Sequence, residues 1–401
     1  MSFLPLAGVR IADFCSNIAG PFGSMILAQL GADVVKVEPP TGDDARSFAE
    51  RVGDVSIVHH YVGAGKRGIV IDLKSPEGVE VALALIKKCD VVLQSMRPGV
   101  AERLGIGRDA ALAQNPDLLY YDVNAFGQGP VGIAQPGYDP LVQAFSGIME
   151  MTGHDGTAPT RCAPSVIDLG TGQWVAMGVL AALLGRANGQ TVKTMETALV
   201  DTAFSLVAYQ ATSALLTGER PQRAGSGNPI AAPYQCYEAA DGYVLLAAPS
   251  QRLWERAAAA LGVPDLIDDE RFRTVSDRTR RRNLLTDIIQ GITRSASVDE
   301  WIERFTAANV PAGKVLGLEE AVGTEVVGER ETFLESDGVP LVRLPWLTDD
   351  QPVQWRRPAP RLGEHTAEVL AELGYTREAI NDLISSGAVS CDQPLVESLS
   401  N

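Results

Sequence analysis

One carboxylate, Asp168, stands at the head of "DLGTGQWVAMGVLAALLGR", with 17 uncharged residues between it and the next charge, Arg186. An acid in that place has two uses. As a helix N-cap it accepts backbone N–H bonds at the positive end of the helix dipole. As a fixed carboxylate that the same surroundings keep ionised, it suits covalent catalysis through an acyl-aspartate. Spacing alone favours the cap, the commoner job for an aspartate at a helix start.

Other reactive residue types form no comparable pattern. The histidines His59, His60, His154 and His365 lack metal-ligand spacing, and the five cysteines are scattered, odd in number and without a CxxC pair. Neither a metal site nor a disulfide framework is expected, and a reducing cytoplasm fits. There is no G-x-S-x-G elbow, which disfavours a serine hydrolase. Glu38 ends a strand as in a dinucleotide fold, but the turn "CSNIAGPFGSM" lacks G-x-G-x-x-G and carries Pro21 where close backbone approach is needed, so nicotinamide binding is not expected.

Basic residues recur at Lys66, Arg67 and Lys74, then at Arg97 and Arg103, in loops and helix starts after successive strands. The carboxyl ends of parallel strands are where open α/β sheets hold ligands, so a phosphate-bearing molecule fits there. The formal net charge of -16 argues against a nucleic-acid partner, which would want a basic surface, yet a local cationic cluster can still hold one phosphate.

The elements that must position these residues read as α/β. "GVRIADF", "ADVVKVE", "RGIVIDL", "DVVLQS" and "DLLYYDVNAF" are strands, alternating with helices over "GPFGSMILAQLG" and from Ser75-Pro76-Glu77 to near Lys88. That alternation predicts a doubly wound parallel-sheet domain over 1–216. A Gly-, Pro- and Arg-rich linker follows at 217–224. The segment 225–325 is expected as a smaller α+β domain with a hairpin at Asp241-Gly242, and its "DRTRRRN" as a solvated face. Residues 326–401 return to the large domain, ending in an amphipathic helix closed by Gly374. The stretch after Asp168 is short for a membrane span and interrupted by Gly170, Gly172 and Gly178, so it is expected as a buried core helix. No secretory signal is read at the start.

Eight segments in order, among them "LAGVRIADFCSNIAGPFGSMILAQLGADVVKVEPPTGDDAR", "GKRGIVIDLKSPEG", "SMRPGVAERLGIG", "PGYDPLVQAFSGIMEMTG", "VIDLGTG" and "RLGEHTAEVLAELGY", resemble the class III coenzyme A transferases. That family includes formyl-CoA transferase, carnitine CoA-transferase and α-methylacyl-CoA racemase. The resemblance covers nearly the whole chain.

It implies that Asp168 is the nucleophile of a CoA transferase, working through an acyl-aspartyl anhydride and an aspartyl-CoA thioester, with Tyr138 beside it. It further implies that Asn17, Ile18, Lys74, Ser95, Met96, Arg97 and Arg103 bind the CoA thioester, which is a substrate; no metal and no resident cofactor is implied. N–H groups near Gly170 would serve a developing oxyanion. The partners implied are an acyl-CoA, a small carboxylic acid and a second copy of the chain in an interlocked homodimer, with no nucleic acid and no membrane.

Two alternatives stay open: a 2-methylacyl-CoA racemase, and a non-catalytic acyl-CoA-binding protein. The racemases carry a histidine where Tyr138 stands, and a phenol with a pKa of about 10 is a poor base, which favours transfer. The sequence departs from the family at Pro39 or Pro40 and at Pro136, where some members carry CoA-binding cations. It departs again at "AAPSQ", 247–251, where formyl-CoA transferase has a glycine-rich loop over the aspartate.

Overall fold

A computed structural model describes residues 3–48, 50–53 and 55–392. The chain forms two compact units, one of residues 1–146, 163–208 and 328–401, the other of 147–162 and 209–327.

The larger unit is built on β1 (Arg10–Phe14), α1 (Ala19–Gln29), β2 (Asp33–Glu38), β3 (Arg67–Ile71), α2 (Pro76–Ile86), β4 (Val91–Gln94), α3 (Arg108–Gln114), β5 (Leu119–Asn124), α4 (Asp139–Phe145), α5 (Val166–Ala187), β6 (Thr194–Ala198), α6 (Leu199–Leu206), α7 (Thr366–Glu372) and β7 (Val389–Ser390). The sheet order is β7-β3-β2-β1-β4-β5-β6. All pairs are parallel except β7 with β3, where Val389 faces Ile71 and Ser390 faces Val70. The order reverses direction beside β1, whose Ala12 is in register with Val35 of β2 and Val92 of β4. The crevice outside the carboxyl ends of β1 and β4 is therefore the topological switch point.

Strand alternation divides the two faces. Ala12, Phe14, Val35, Val37, Ile69 and Val92 pack in one apolar core with α2, α3 and α7. Asp13 and Lys36 point the other way and are buried there. Helix α2 starts as its sequence signals, with Ser75 accepting the N–H of Gly78 at 3.0 Å and Pro76 in the first turn.

On the charged face α1 and α5 cross closely, and the crossing needs glycine on both sides. A Cβ on Gly172 would lie 2.6 Å from the Ala19 carbonyl and 2.9 Å from the Gly23 nitrogen, and one on Gly23 would lie 2.7 Å from the Gly172 carbonyl. Contrary to the expectation of a buried core helix, α5 is buried on one face only. Ile167, Thr171, Gly172, Val175, Ala176 and Val179 are covered, while Trp174, Met177 and Leu184 are exposed.

The smaller unit has an antiparallel three-stranded sheet in which 234–238 and 312–314 flank 243–247. Its core holds Trp254, Phe272, Trp301 and Phe305. "DRTRRRN" is not wholly a solvated face: Arg278 is fully buried, donating to the carbonyls of Ala232 at 3.0 Å and Phe272 at 2.9 Å. Within 217–224, Arg220 and Arg223 both pair with Glu150, so this stretch is tied into the unit.

Candidate active site

A cleft of about 110 Å³ opens at the switch point, and Asn17, Ile18, Ser95, Tyr138 and Asp168 all line it. Five residues named from the sequence thus meet on one surface, with Asn124 and Leu199 completing the wall.

Asp168 lies in the first turn of α5, but it is not the cap. Ser165 holds the N-cap position and makes no side-chain capping bond. The orphan N–H groups go elsewhere: Val166 donates to the Pro164 carbonyl at 2.8 Å, while the Leu169 N–H makes the first regular helix bond, to the Ser165 carbonyl at 3.0 Å. Ile167 donates at 2.8 Å, and Asp168 at 3.3 Å, to Oδ2 of Asp139, from the first turn of α4. Oδ1 of Asp139 accepts from Gln143 Nε2 at 2.6 Å. The capping carboxylate thus comes from another helix, and the Asp168 side chain is left facing the cleft.

Two sequence expectations are corrected here. Asp168 is not kept fully ionised by its surroundings: burial, and then the neighbouring Asp139 charge, push its carboxyl up to about 7. Nor are N–H groups near Gly170 free for an oxyanion, since Gly170 lies inside α5 and the first-turn donors are engaged.

The β1–α1 turn is set by a buried chain of charges that the sequence reading did not find. Asp13 accepts from Lys66 Nζ at 3.0 Å and Ser24 Oγ at 2.6 Å. Burial raises the Asp13 carboxyl, but Lys66, Lys36 and Ser24 outweigh it and hold the group at about 2. Lys36 pairs with Asp43 at 2.7 Å and donates to the Cys15 carbonyl. Asp43 Oδ1 accepts the N–H of Asn17 at 3.0 Å, fixing that residue in the left-handed region at φ 63°. Ser95 Oγ accepts the N–H of Ser16 at 2.9 Å, which ties the β1 turn to the β4 turn. A lysine, Lys36, set between the valines of "ADVVKVE" was the available signal, since such a cation is buried only with a partner.

The remaining predicted ligands lie outside the cleft lining. Met96 packs against the apolar core, and its N–H is held by Gln94 Oε1 at 2.7 Å. Lys74, Arg97 and Arg103 are exposed, and no side-chain ion pair engages them among the described residues. Lys66 and Arg67 are not available to a phosphate: Lys66 is committed to Asp13, and Arg67 to Asp33, Glu368 and Glu372. Glu38, the position a dinucleotide fold would use, is held bidentately by Arg46 at 2.7 Å. Among the described residues no group of three or more His, Cys, Asp or Glu is placed to hold a metal. In the smaller unit "AAPSQ" is a fastened connection, Ala248 donating to the Pro233 carbonyl at 2.9 Å and Ser250 capping the next helix.

The model of CoA-transferase family III matches residues 6–366. The chain belongs to CoA-transferase family III. Family III relatives align along nearly their whole length. Succinate–glutarate CoA-transferase of Agrobacterium fabrum is 32% identical over 382 residues, 92% of this chain and 96% of the relative. Succinyl-CoA:mesaconate CoA-transferase of Haloarcula hispanica is 34% identical over 390 residues, covering 92% and 96%. The crystal structure of a CAIB/BAIF family protein from Brucella suis superposes with a TM-score of 0.83 at 30% identity, covering 93% of this chain and all of that one. The chain is thus a family III CoA-transferase, an enzyme of acyl-CoA chemistry.

Proposed function

We propose that Asp168 is the nucleophile of CoA transfer from an acyl-CoA to a short dicarboxylic acid. The observation that carries this reading is the placement of the Asp168 carboxyl in a switch-point cleft, with its own helix cap supplied by Asp139 so that the side chain is free to react.

In the proposed sequence an Asp168 oxygen attacks the donor thioester carbonyl. The C–S bond breaks, CoA leaves as the thiolate, and an acyl-aspartyl anhydride forms. The thiolate then attacks the aspartyl carbonyl, expelling the donor carboxylate and leaving an aspartyl-CoA thioester. The acceptor carboxylate displaces CoA to form a second anhydride, and the thiolate takes the acceptor acyl group, regenerating the Asp168 carboxylate. The N-terminal turn of α1 lines the cleft through Ala19 and Gly20 and has no side-chain cap on Ile18, so its dipole favours oxyanions formed there. Tyr138 offers a hydroxyl at the same rim.

Lys74, Arg97 and Arg103, with Ser95 and Met96 behind them, are assigned to the CoA phosphates; their exposure, with no side-chain ion pair among the described residues, supports this. The dicarboxylic acceptor rests on the names of the succinate, glutarate and mesaconate relatives. The enzyme is assigned as a homodimer working in a reducing cytoplasm. Exposed Trp174, Met177 and Leu184 support the first, and the thiols of Cys15, Cys89, Cys236 and Cys391, none of them in a disulfide, the second.

The test incubates the enzyme in heavy water with a panel of CoA thioesters and free dicarboxylic, branched and fatty acids, with mass spectrometry of all CoA species and of the protein. Transfer without deuterium gain, with a covalent adduct on Asp168, is expected, and Asp168→Asn should lower turnover by a factor of 10³ or more. Undiminished transfer by Asp168→Asn, or deuterium entry at the α-carbon with CoA staying in place, would overturn the reading.

A further inference from the structure

We propose that Asp139 is a positioning residue for Asp168, holding its turn of helix in place and keeping a second negative charge against it. The inference rests on Asp168 being the reactive group only for its effect on rate; the geometry stands without it.

Asp139 is 2% exposed and forms no ion pair among the described residues. An unpaired carboxylate so deeply buried is costly unless hydrogen bonds satisfy it. Here the donors are the N–H groups of Ile167 and Asp168 and the amide of Gln143. Two of the three are thus the backbone of the reactive turn itself, and the positive end of α5 is spent on Asp139. Asp168 is left with the Asp139 charge beside it and no helix-end bond of its own.

Among the described residues no cation on the elements packed against α5 offsets this, and the one ionisable side chain on β6, Glu196, is itself acidic and is bound by Asn124 Nδ2 at 2.7 Å. Among the elements around Asp168, α1 carries no ionisable side chain. The only one on α6 is Asp201, which is exposed and lines a separate groove with Trp174 and Met177.

The consequence is a trade in reactivity. A carboxylate made more basic by its surroundings is a stronger nucleophile once ionised, and a midpoint near the working pH keeps a useful fraction in that form. A cap of the usual kind, Asp168 accepting its own helix N–H groups, would have made it a weaker one. Asp139 therefore relieves Asp168 of the capping role and adjusts its basicity through the same carboxylate.

The test is the titration of Asp168 in protein labelled with [4-¹³C]aspartate, its signal identified by its loss in Asp168→Asn, in wild type and in Asp139→Asn. The asparagine keeps a carbonyl for the Ile167 N–H and removes the charge. Wild-type Asp168 should titrate near 7 and the variant lower, remaining above the ordinary range because burial persists. For a tenfold stronger acid at 168, the ratio of CoA-exchange rate at pH 6 to that at pH 8 should rise about fivefold.

An unmoved midpoint, or a slower Asp139→Asn enzyme with an unchanged pH profile, overturns the proposal and leaves Asp139 a plain cap. A wild-type midpoint near 4 overturns it even if the variant does not fold. Full activity of Asp168→Asn would sink the nucleophile assignment, while the titration would still judge Asp139.

Discussion

At the scale of single residues, the raised Asp168 carboxyl has two consequences of known sign. With Asp168 as the proposed nucleophile the reactive form is the deprotonated one, so kcat/KM for the thioester should fall as pH drops below about 7, tenfold for each further pH unit, in a rate profile at saturating acceptor. Stability runs the other way. The folded-state pKa lies above the unfolded value, so ionising Asp168 costs the fold an amount that grows from about pH 4 to 7 and then levels off. Asp168→Asn should accordingly be more stable than wild type by on the order of 1–3 kcal/mol at pH 8 and by little at pH 4, measured by urea unfolding. Asp168 was legible as an acid at a helix start, and Asn17, Ile18, Ser95 and Tyr138 were legible by resemblance. What was not legible is which carboxylate does the capping. Asp139 reaches a turn 28 positions along the chain, a pairing that local spacing does not encode.

At the scale of elements, the strands and helices that build the crevice follow their apolar patterns. β1, β2, β3, β4 and β5 all fall inside the segments read as strands, and the α2 cap forms as its Ser-Pro-Glu start signals. The helix after Asp168 was misjudged because mean apolarity does not say what covers each face. The close α1–α5 crossing was equally hidden, since the glycines of "GTGQ" read as interruptions and those of "GPFG" as part of a plain helix until the two helices meet. Gly172→Ala should therefore cost about 1–3 kcal/mol or more and displace Asp168, seen as a lower urea midpoint with lower turnover. The buried charges beneath the β1 turn give a second prediction. Lys66→Met leaves Asp13 without its closest cation and should destabilise the protein by about 3–5 kcal/mol near neutrality. The loss should shrink as pH falls through 4, because an Asp13 no longer held at about 2 can then protonate.

At the scale of the whole molecule, Trp174, Met177 and Leu184 on α5 and Phe204 and Leu206 on α6 are all exposed, the kind of apolar surface that the proposed homodimer would cover. Sedimentation should give twice the chain mass, and Trp174→Lys should shift the protein towards the single chain at micromolar concentration. The larger unit is also discontinuous along the sequence. β3 ends at Ile71, but its outer neighbour β7 begins only at Val389. Residues His365 and Thr366, which bond Gly68 and Val70, come late as well, so during synthesis at roughly 5–20 residues per second the β3 edge waits on the order of half a minute before its own chain can cover it. Until then it offers a row of unpaired N–H and C=O groups to any other strand. A chain truncated before His365, which lacks both β7 and the bonds of His365 and Thr366 to Gly68 and Val70, should accordingly aggregate more readily than the full chain, as followed by light scattering. Completion of the C-terminal segment, rather than of the segments that line the cleft, is thus what closes the open edge of the sheet.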